Sequence, residues 1–259
     1  MTLFSTLRRT AVALAAGLAF AAPLAHASTP ATTRRAVPSS ITPRDVTTVS
    51  ARDVEASNAK IRMAYDALIT MWTSDFAQIG ERFAAPGLVR YRGGVRTGCG
   101  IMHGDNAAYC PEDNAIYFDE LFVAAQARNA AAQIGTDGDM AAVGIIAHEM
   151  GHAVALQLGH EWRFTYQNEA AADCLAGAFA HQAGRDGQLE KGDVEEAFYA
   201  MYSAGDPQPE LTGDARLDRR IMRTASLMGH GTYDKRMANF KAGLDGGAGS
   251  CLAEFRGTE

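Results

Sequence analysis

His148-Glu149-Met150-Gly151-His152 sets two imidazoles four residues apart with a carboxylate between them. In a helix, residues at i and i+4 lie one turn apart on one face, so both rings can reach one tetrahedral ion. Glu149 projects beside them, where a carboxylate can take a proton from water activated by the metal. Zinc suits this donor set and lowers the pKa of water from about 15.7 toward roughly 7. The surroundings argue against a chance match. Val143, Ile145 and Ile146 make the preceding turn apolar, and two histidines and a glutamate on a buried face are costly unless satisfied.

A catalytic zinc takes a third protein ligand and leaves one position open. A third histidine in the extended motif is excluded, because Ala155 and Leu158 stand at the required Gly and His positions, and His160 is misplaced. Asn168-Glu169-Ala170-Ala171-Ala172-Asp173 offers the better candidate. Glu169 and Asp173 are again one helical turn apart. Glu169 is expected to bind the metal while Asp173 accepts the outer N–H of His148 or His152, which fixes the ring's tautomer and orientation. Glu161 is the rival ligand. It follows the first helix so directly that a tight turn would aim it away.

These residues need helices to position them. The apolar pattern predicts one buried helix from about Asp139 to Leu158, capped by Asp137 or Asp139 and stopped by Gly159. A second is expected over Asn168–Gln182. A third begins at Asp193, where Asp193 and Glu196 form a capping box. A fourth covers about Leu217–Met228 and breaks at Gly229-His230-Gly231. Upstream, Ile61, Ala64, Tyr65, Leu68, Ile69 and Trp72 recur at helical spacing from Val54 to about Phe83. Gly87–Arg92 and Asn114–Phe118 read as strands, and the segment between them as a pinned loop.

The 259 residues carry a net charge of −6 and no long basic run. That speaks against nucleic acid as a partner, since phosphate contacts need clustered Lys and Arg. Residues 1–27 read as a signal peptide: Arg8-Arg9, the apolar run Ala11–Leu24, and the cleavage site Ala25-His26-Ala27 before Ser28. The run is short for a span, so no stable membrane span is expected after cleavage, and the product would be periplasmic or secreted. Residues 28–52, rich in Thr, Ser, Pro and Ala, read as a flexible linker, leaving 53–259 as the working domain. Cys99, Cys110, Cys174 and Cys251 make an even number in an oxidising compartment, for which three pairings are possible.

The histidine motif with the downstream Asn-Glu-x-x-x-Asp resembles the thermolysin-type zincins. More closely, the chain resembles the bacterial putative neutral zinc metallopeptidases. The matching stretches are Thr97–Gly100, Tyr109–Asp113, Ile116–Asp119, Ala147–His152, Ala172–Gly177, Gly192-Asp193, Glu195–Ala197, Gly205-Asp206, His230–Thr232, Arg236, Phe240 and Cys251. They span about residues 60–255. The chain departs from the family at Ala153 and Ala155, where a second His and a Gln are common, and in having a cleavable leader where an anchor is usual.

The resemblance implies an α+β zincin-like domain, mostly helical with a small sheet, holding one zinc ion on His148, His152 and Glu169. The expected activity is that of a zinc metalloendopeptidase acting on protein or peptide substrates, with Glu149 as general base. The resemblance also implies a downstream histidine as oxyanion donor, for which His230 is the candidate and Tyr166, Tyr202 and Tyr233 are rivals. Substrate is expected to lie extended along Asn114–Phe118, as an added strand. The expected disulfides are Cys99–Cys110, closing a short loop between the strands, and Cys174–Cys251, tying the tail to the Glu169 helix. The alternatives are an exported structural zinc protein and an amidase for cell-wall peptides.

Overall fold

The computed structural model describes residues 48–257. The signal peptide and most of the linker lie outside the described residues. The long helix α1 (Ala51–Gln78) begins two residues inside the expected linker, because Ser50 and Asp53 close a reciprocal capping box. It ends five residues before the expected Phe83. Gly80 adopts φ +80°, and the Glu81 amide donates back to the Phe76 carbonyl at 2.8 Å, which terminates the helix.

The expected loop between the two strands is itself largely β. After β1 (Gly87–Tyr91) come the hairpin β2 (Gly94–Thr97) and β3 (Gly100–His103), then β4 (Ala107–Cys110) and β5 (Ala115–Asp119). Strands β2, β3 and β4 are only four residues long, too short for alternation to register. Strand β5 pairs parallel with β1 and antiparallel with β4, so the sheet order is β1-β5-β4. The Cys99–Cys110 disulfide ties the turn of the β2–β3 hairpin to the end of β4.

The rest is helical: α2 (Glu120–Ala130, continued by a π turn), α3 (Asp139–Gln157), α4 (Thr165–Arg185), α5 (Asp193–Ser203), α6 (Ala215–Met228) and α7 (Tyr233–Cys251). The protein is thus α+β and predominantly helical. Helix α3 lies at the centre, with Ile146, Met150 and Val154 fully buried at i, i+4 and i+8. They belong to the same core as Leu68, Trp72 and Phe76 of α1. Helices α2 and α7 were not anticipated. Alanines in one and glycines in the other dilute the apolar signal.

Two caps differ from expectation. Neither Asp137 nor Asp139 caps α3. Gly138 occupies that position, and the carboxylate of Glu196 on α5 accepts from the amides of Gly138 (2.9 Å) and Met140 (2.8 Å). Glu196 therefore forms no capping box with Asp193. It ties α5 to the first turn of α3, satisfying amides that a helix start leaves without partners.

Close helix packing fixes α3, α4 and α7 together. A Cβ at Gly151 would lie 2.8 Å from the Ala172 carbonyl oxygen, so only glycine allows α3 this near α4. Gly177 of α4 and Gly243 of α7 meet the other helix's backbone so tightly that any side chain would overlap it. The Cys174–Cys251 disulfide joins the same two helices.

Candidate metal centre

Helix α3 presents His148, Glu149 and His152 to a cleft of about 600 Å³, and α4 presents Glu169 opposite them. The His148 and His152 Nε2 atoms lie 3.2 Å apart. Glu169 Oε2 is 3.3 Å from His148 Nε2, and its Oε1 is 3.7 Å from His152 Nε2. Among the described residues these three side chains form a group able to hold an ion. The spacing tests the fit. Two ligands each about 2.0–2.1 Å from a tetrahedral zinc stand about 3.3 Å apart, which the donor triangle matches. Glu161 is exposed on the cleft wall and is not one of the converging donors.

The wall behind the triangle is ionic. Asp173, one turn after Glu169 and fully buried, lies 2.9 Å from His148 Nδ1 and accepts its proton. Arg236, in the first turn of α7, donates to both Asp173 oxygens, from Nε at 3.0 Å and Nη2 at 2.7 Å. Its Nη1 donates to the Ala204 carbonyl, and Nη2 stands 3.5 Å from Glu169 Oε2. The short approach of Nη2 to His148 arises because both groups donate to the same Asp173 oxygen. Arg236 stood within the family pattern, but no role could be assigned to it from sequence. Nothing local marks a guanidinium that will be only 4% exposed.

Charge is strongly shaped here. Burial pushes the Glu149 carboxyl up to about 7, reinforced by the Glu169 charge and opposed by His148. Burial also resists charge on Glu169, yet hydrogen bonding and charge from His148, with His152, hold its carboxyl at about 2. Burial and the neighbouring His148 lower His152 to about 4. Glu169 is thus ionised and His152 neutral at physiological pH. Burial and the Arg236 charge resist a proton on His148, yet hydrogen bonds to Asp173 and Glu169 outweigh them and raise it to about 10, so a metal ion would have to displace a proton from His148.

The edge of the sheet borders the same cleft. Glu149 Oε2 accepts from the Tyr109 amide of β4 at 2.8 Å. That amide points away from β5, so β4 is the free edge facing the donors. The expectation that substrate lies along Asn114–Phe118 is corrected here. Strand β5 is central and both its edges are already paired. His230 lines the cleft with its side chain 59% exposed. Its loop is pinned by Asp206, which lies 3.4 Å from His230 Nδ1 and accepts from the Gly231 amide at 3.2 Å. Of the rival donors, Tyr202 stacks on Tyr233 and Tyr166 lies under Lys235.

A buried helix offering two histidines and a glutamate, with a further glutamate converging from the next helix, makes a group of donors that could hold a metal ion. The chain belongs to the putative neutral zinc metallopeptidase family, whose model matches residues 11–255. It is similar to the uncharacterized protein YpfJ of Escherichia coli K12, 34% identical over 192 residues, covering 68% of this chain and 63% of that protein. The same protein from Escherichia coli O6:H1 matches equally. The chain thus spans under two thirds of the length of these relatives. No solved structure matches it.

Proposed function

We propose that this chain is an exported zinc metalloendopeptidase, with residues 53–259 as its catalytic domain and 1–27 as a signal peptide. One observation carries the reading. Three donors converge at zinc-like separations beside a buried carboxylate, on a cleft bordered by a free strand edge. His148, His152 and Glu169 hold the ion, and Asp173 fixes the His148 tautomer. Bound zinc supplies Lewis acidity, polarising a carbonyl and making water acidic enough to deprotonate near neutral pH.

Glu149 is the general base. Its Oε2 is held by the Tyr109 amide, which leaves Oε1 to take a proton from water and return it to the departing amine. The substrate lies extended along β4. Because amides on one strand edge repeat every second residue, the Ala107 amide also faces the cleft and remains for the substrate, that of Tyr109 being held by Glu149. Backbone pairing there tolerates varied side chains. His230 donates to the oxyanion from the opposite wall. Two disulfides support export to an oxidising compartment.

The experiment is zinc stoichiometry with cleavage of a random peptide pool, comparing wild type with Glu149→Gln. Wild type should bind one zinc and cleave, while the variant keeps zinc and loses turnover. Zinc binding with no cleavage by wild type would favour the structural-zinc alternative. Loss of zinc in the variant would remove Glu149 from the proton-transfer role.

A further inference from the structure

Helix α6 (Ala215–Met228) stands apart from the other helices: it has no buried residue. Arg216, Arg219, Arg220 and Arg223 fall in one arc of about 100° on the helical wheel. Leu217, Ile221, Ala225 and Met228 fall in another on the opposite side. Its acids, Asp214 at the cap and Asp218, offset only two of the four arginine charges and pair with none of the guanidinium groups among the described residues. Asp214 accepts from the amides of Arg216 and Leu217, and Asp218 from those of Thr212 and Gly213. No arginine of α6 forms a salt bridge among the described residues. The chain as a whole is acidic, at −6, so this basic face is a local feature.

The apolar side is only partly covered: Ile221 and Ala225 are half-buried, while Leu217 and Met228 are exposed. Among the described residues, seven large hydrophobic side chains are exposed, and four of them, Leu211, Leu217, Met222 and Met228, lie on α6 or just before it. Arginines with no salt bridge among the described residues, flanked by exposed Met222 and set across the helix from exposed Leu217 and Met228, fit one kind of surface. A soluble polyanion offers charge but nothing to cover the apolar side chains. An anionic bilayer offers both: headgroup phosphates for the guanidinium groups, and an acyl boundary for the apolar ones. Arginine stems reach along such a boundary while their heads stay with the phosphates.

We propose that α6 docks this protein onto an anionic phospholipid surface. The inference is independent of the zinc chemistry, because α6 contributes no donor to the metal centre. It also fixes an orientation. The helix ends at Gly229, directly before the cleft residue His230, so the docked protein holds its cleft near the membrane.

The test is sedimentation of the full chain with vesicles, either phosphatidylglycerol–phosphatidylethanolamine or phosphatidylcholine alone. Binding should require the anionic lipid and weaken as salt rises from about 0.05 to 0.5 M, where the Debye length shrinks severalfold. Each arginine near an anionic surface is worth about fivefold in partition. Replacing all four by Gln should therefore lower binding on the order of a few hundredfold, with circular dichroism and melting unchanged. If that variant is poorly folded, Arg219→Glu with Arg223→Glu supplies the same comparison. Leu217→Ser with Met228→Ser should weaken binding while leaving its salt dependence. Equal binding to both vesicle types, or binding unchanged in the arginine variants, overturns the proposal. Retention on heparin without vesicle binding also overturns it, in favour of a soluble polyanion.

Discussion

At the scale of single residues, the donor triangle and its ionic backing have separable roles. His148→Ala, His152→Ala and Glu169→Ala should each abolish stoichiometric zinc, measured by metal analysis after dialysis. Glu161→Ala should leave zinc unchanged. His230→Ala should keep zinc and lower turnover by about 10²–10³, the usual loss for one oxyanion donor, with little change in substrate binding. Arg236 acts through Asp173, so it is a positioning residue. Arg236→Gln leaves a fully buried Asp173 without its cation and should cost about 3–5 kcal/mol in a urea titration. Zinc affinity, read by chelator competition, should fall about 10–100-fold. Arg236→Lys should recover part of the stability but not the two-pronged geometry on Asp173. A variant stable and zinc-tight without Arg236 would reduce that cation to a bystander.

At the scale of elements, the metal geometry depends on how closely α3 and α4 approach. Gly151 sits inside the motif at a position that ligates nothing, and its hydrogen is the spacer. Gly151→Ala should push α4 away, costing about 1–3 kcal/mol for overpacking. It should also loosen zinc, because Glu169 travels with α4. Unchanged zinc affinity would mean that the helix pair is less rigid than its contacts suggest. The start of α1 carries a pH dependence. Hydrogen bonds from the Ser50 hydroxyl and amide, then Arg128, hold the Asp53 carboxyl at about 2. A carboxyl lowered on folding stabilises fully above its unfolded pKa, near 3.9, and loses that effect as pH falls toward about 2. Hydrogen-exchange protection in the first turn of α1 should fall across that window, and Ser50→Ala should shrink this pH dependence by raising the folded carboxyl toward its unfolded value.

At the scale of the whole molecule, α4 is clamped from both sides, by α3 at Gly151 and by α7 at Gly177 and Gly243. The Cys174–Cys251 bond closes the longer loop, with a separation of 77 residues. Chain entropy gives it a stabilisation of about 4.5 kcal/mol, against about 3 kcal/mol for the short Cys99–Cys110 loop. Cys174→Ala with Cys251→Ala should therefore lower the urea midpoint more than the other pair. It should also weaken zinc binding, because Cys174 adjoins Asp173 and α7 carries Arg236. Removing Cys99 and Cys110 should affect the rim of the sheet and spare the zinc. The opposite ranking would show that the two loops do not constrain the unfolded chain as their lengths imply.

The local chemistry of the metal centre was legible in the sequence because it is periodic. His148 and His152, like Glu169 and Asp173, occupy i and i+4 positions, and the helix converts that spacing into a shared face whatever else the chain does. The buried character of α3 was legible because the turn before the motif, with Val143, Ile145 and Ile146, is apolar. Some relations across elements were read as well, among them the Cys174–Cys251 and Cys99–Cys110 pairings, but others were left open. The Glu196 carboxylate caps a helix more than fifty residues upstream, and Arg236 reaches Asp173 from 63 residues downstream. Neither separation leaves a local pattern. The free edge facing the cleft belongs to β4, because β5, the stronger strand by composition, was drawn to the middle of the sheet by β1. Periodicity fixes which side chains share one helix face. Only packing decides which two faces meet, how closely glycine lets them approach, and which buried charges end up as partners.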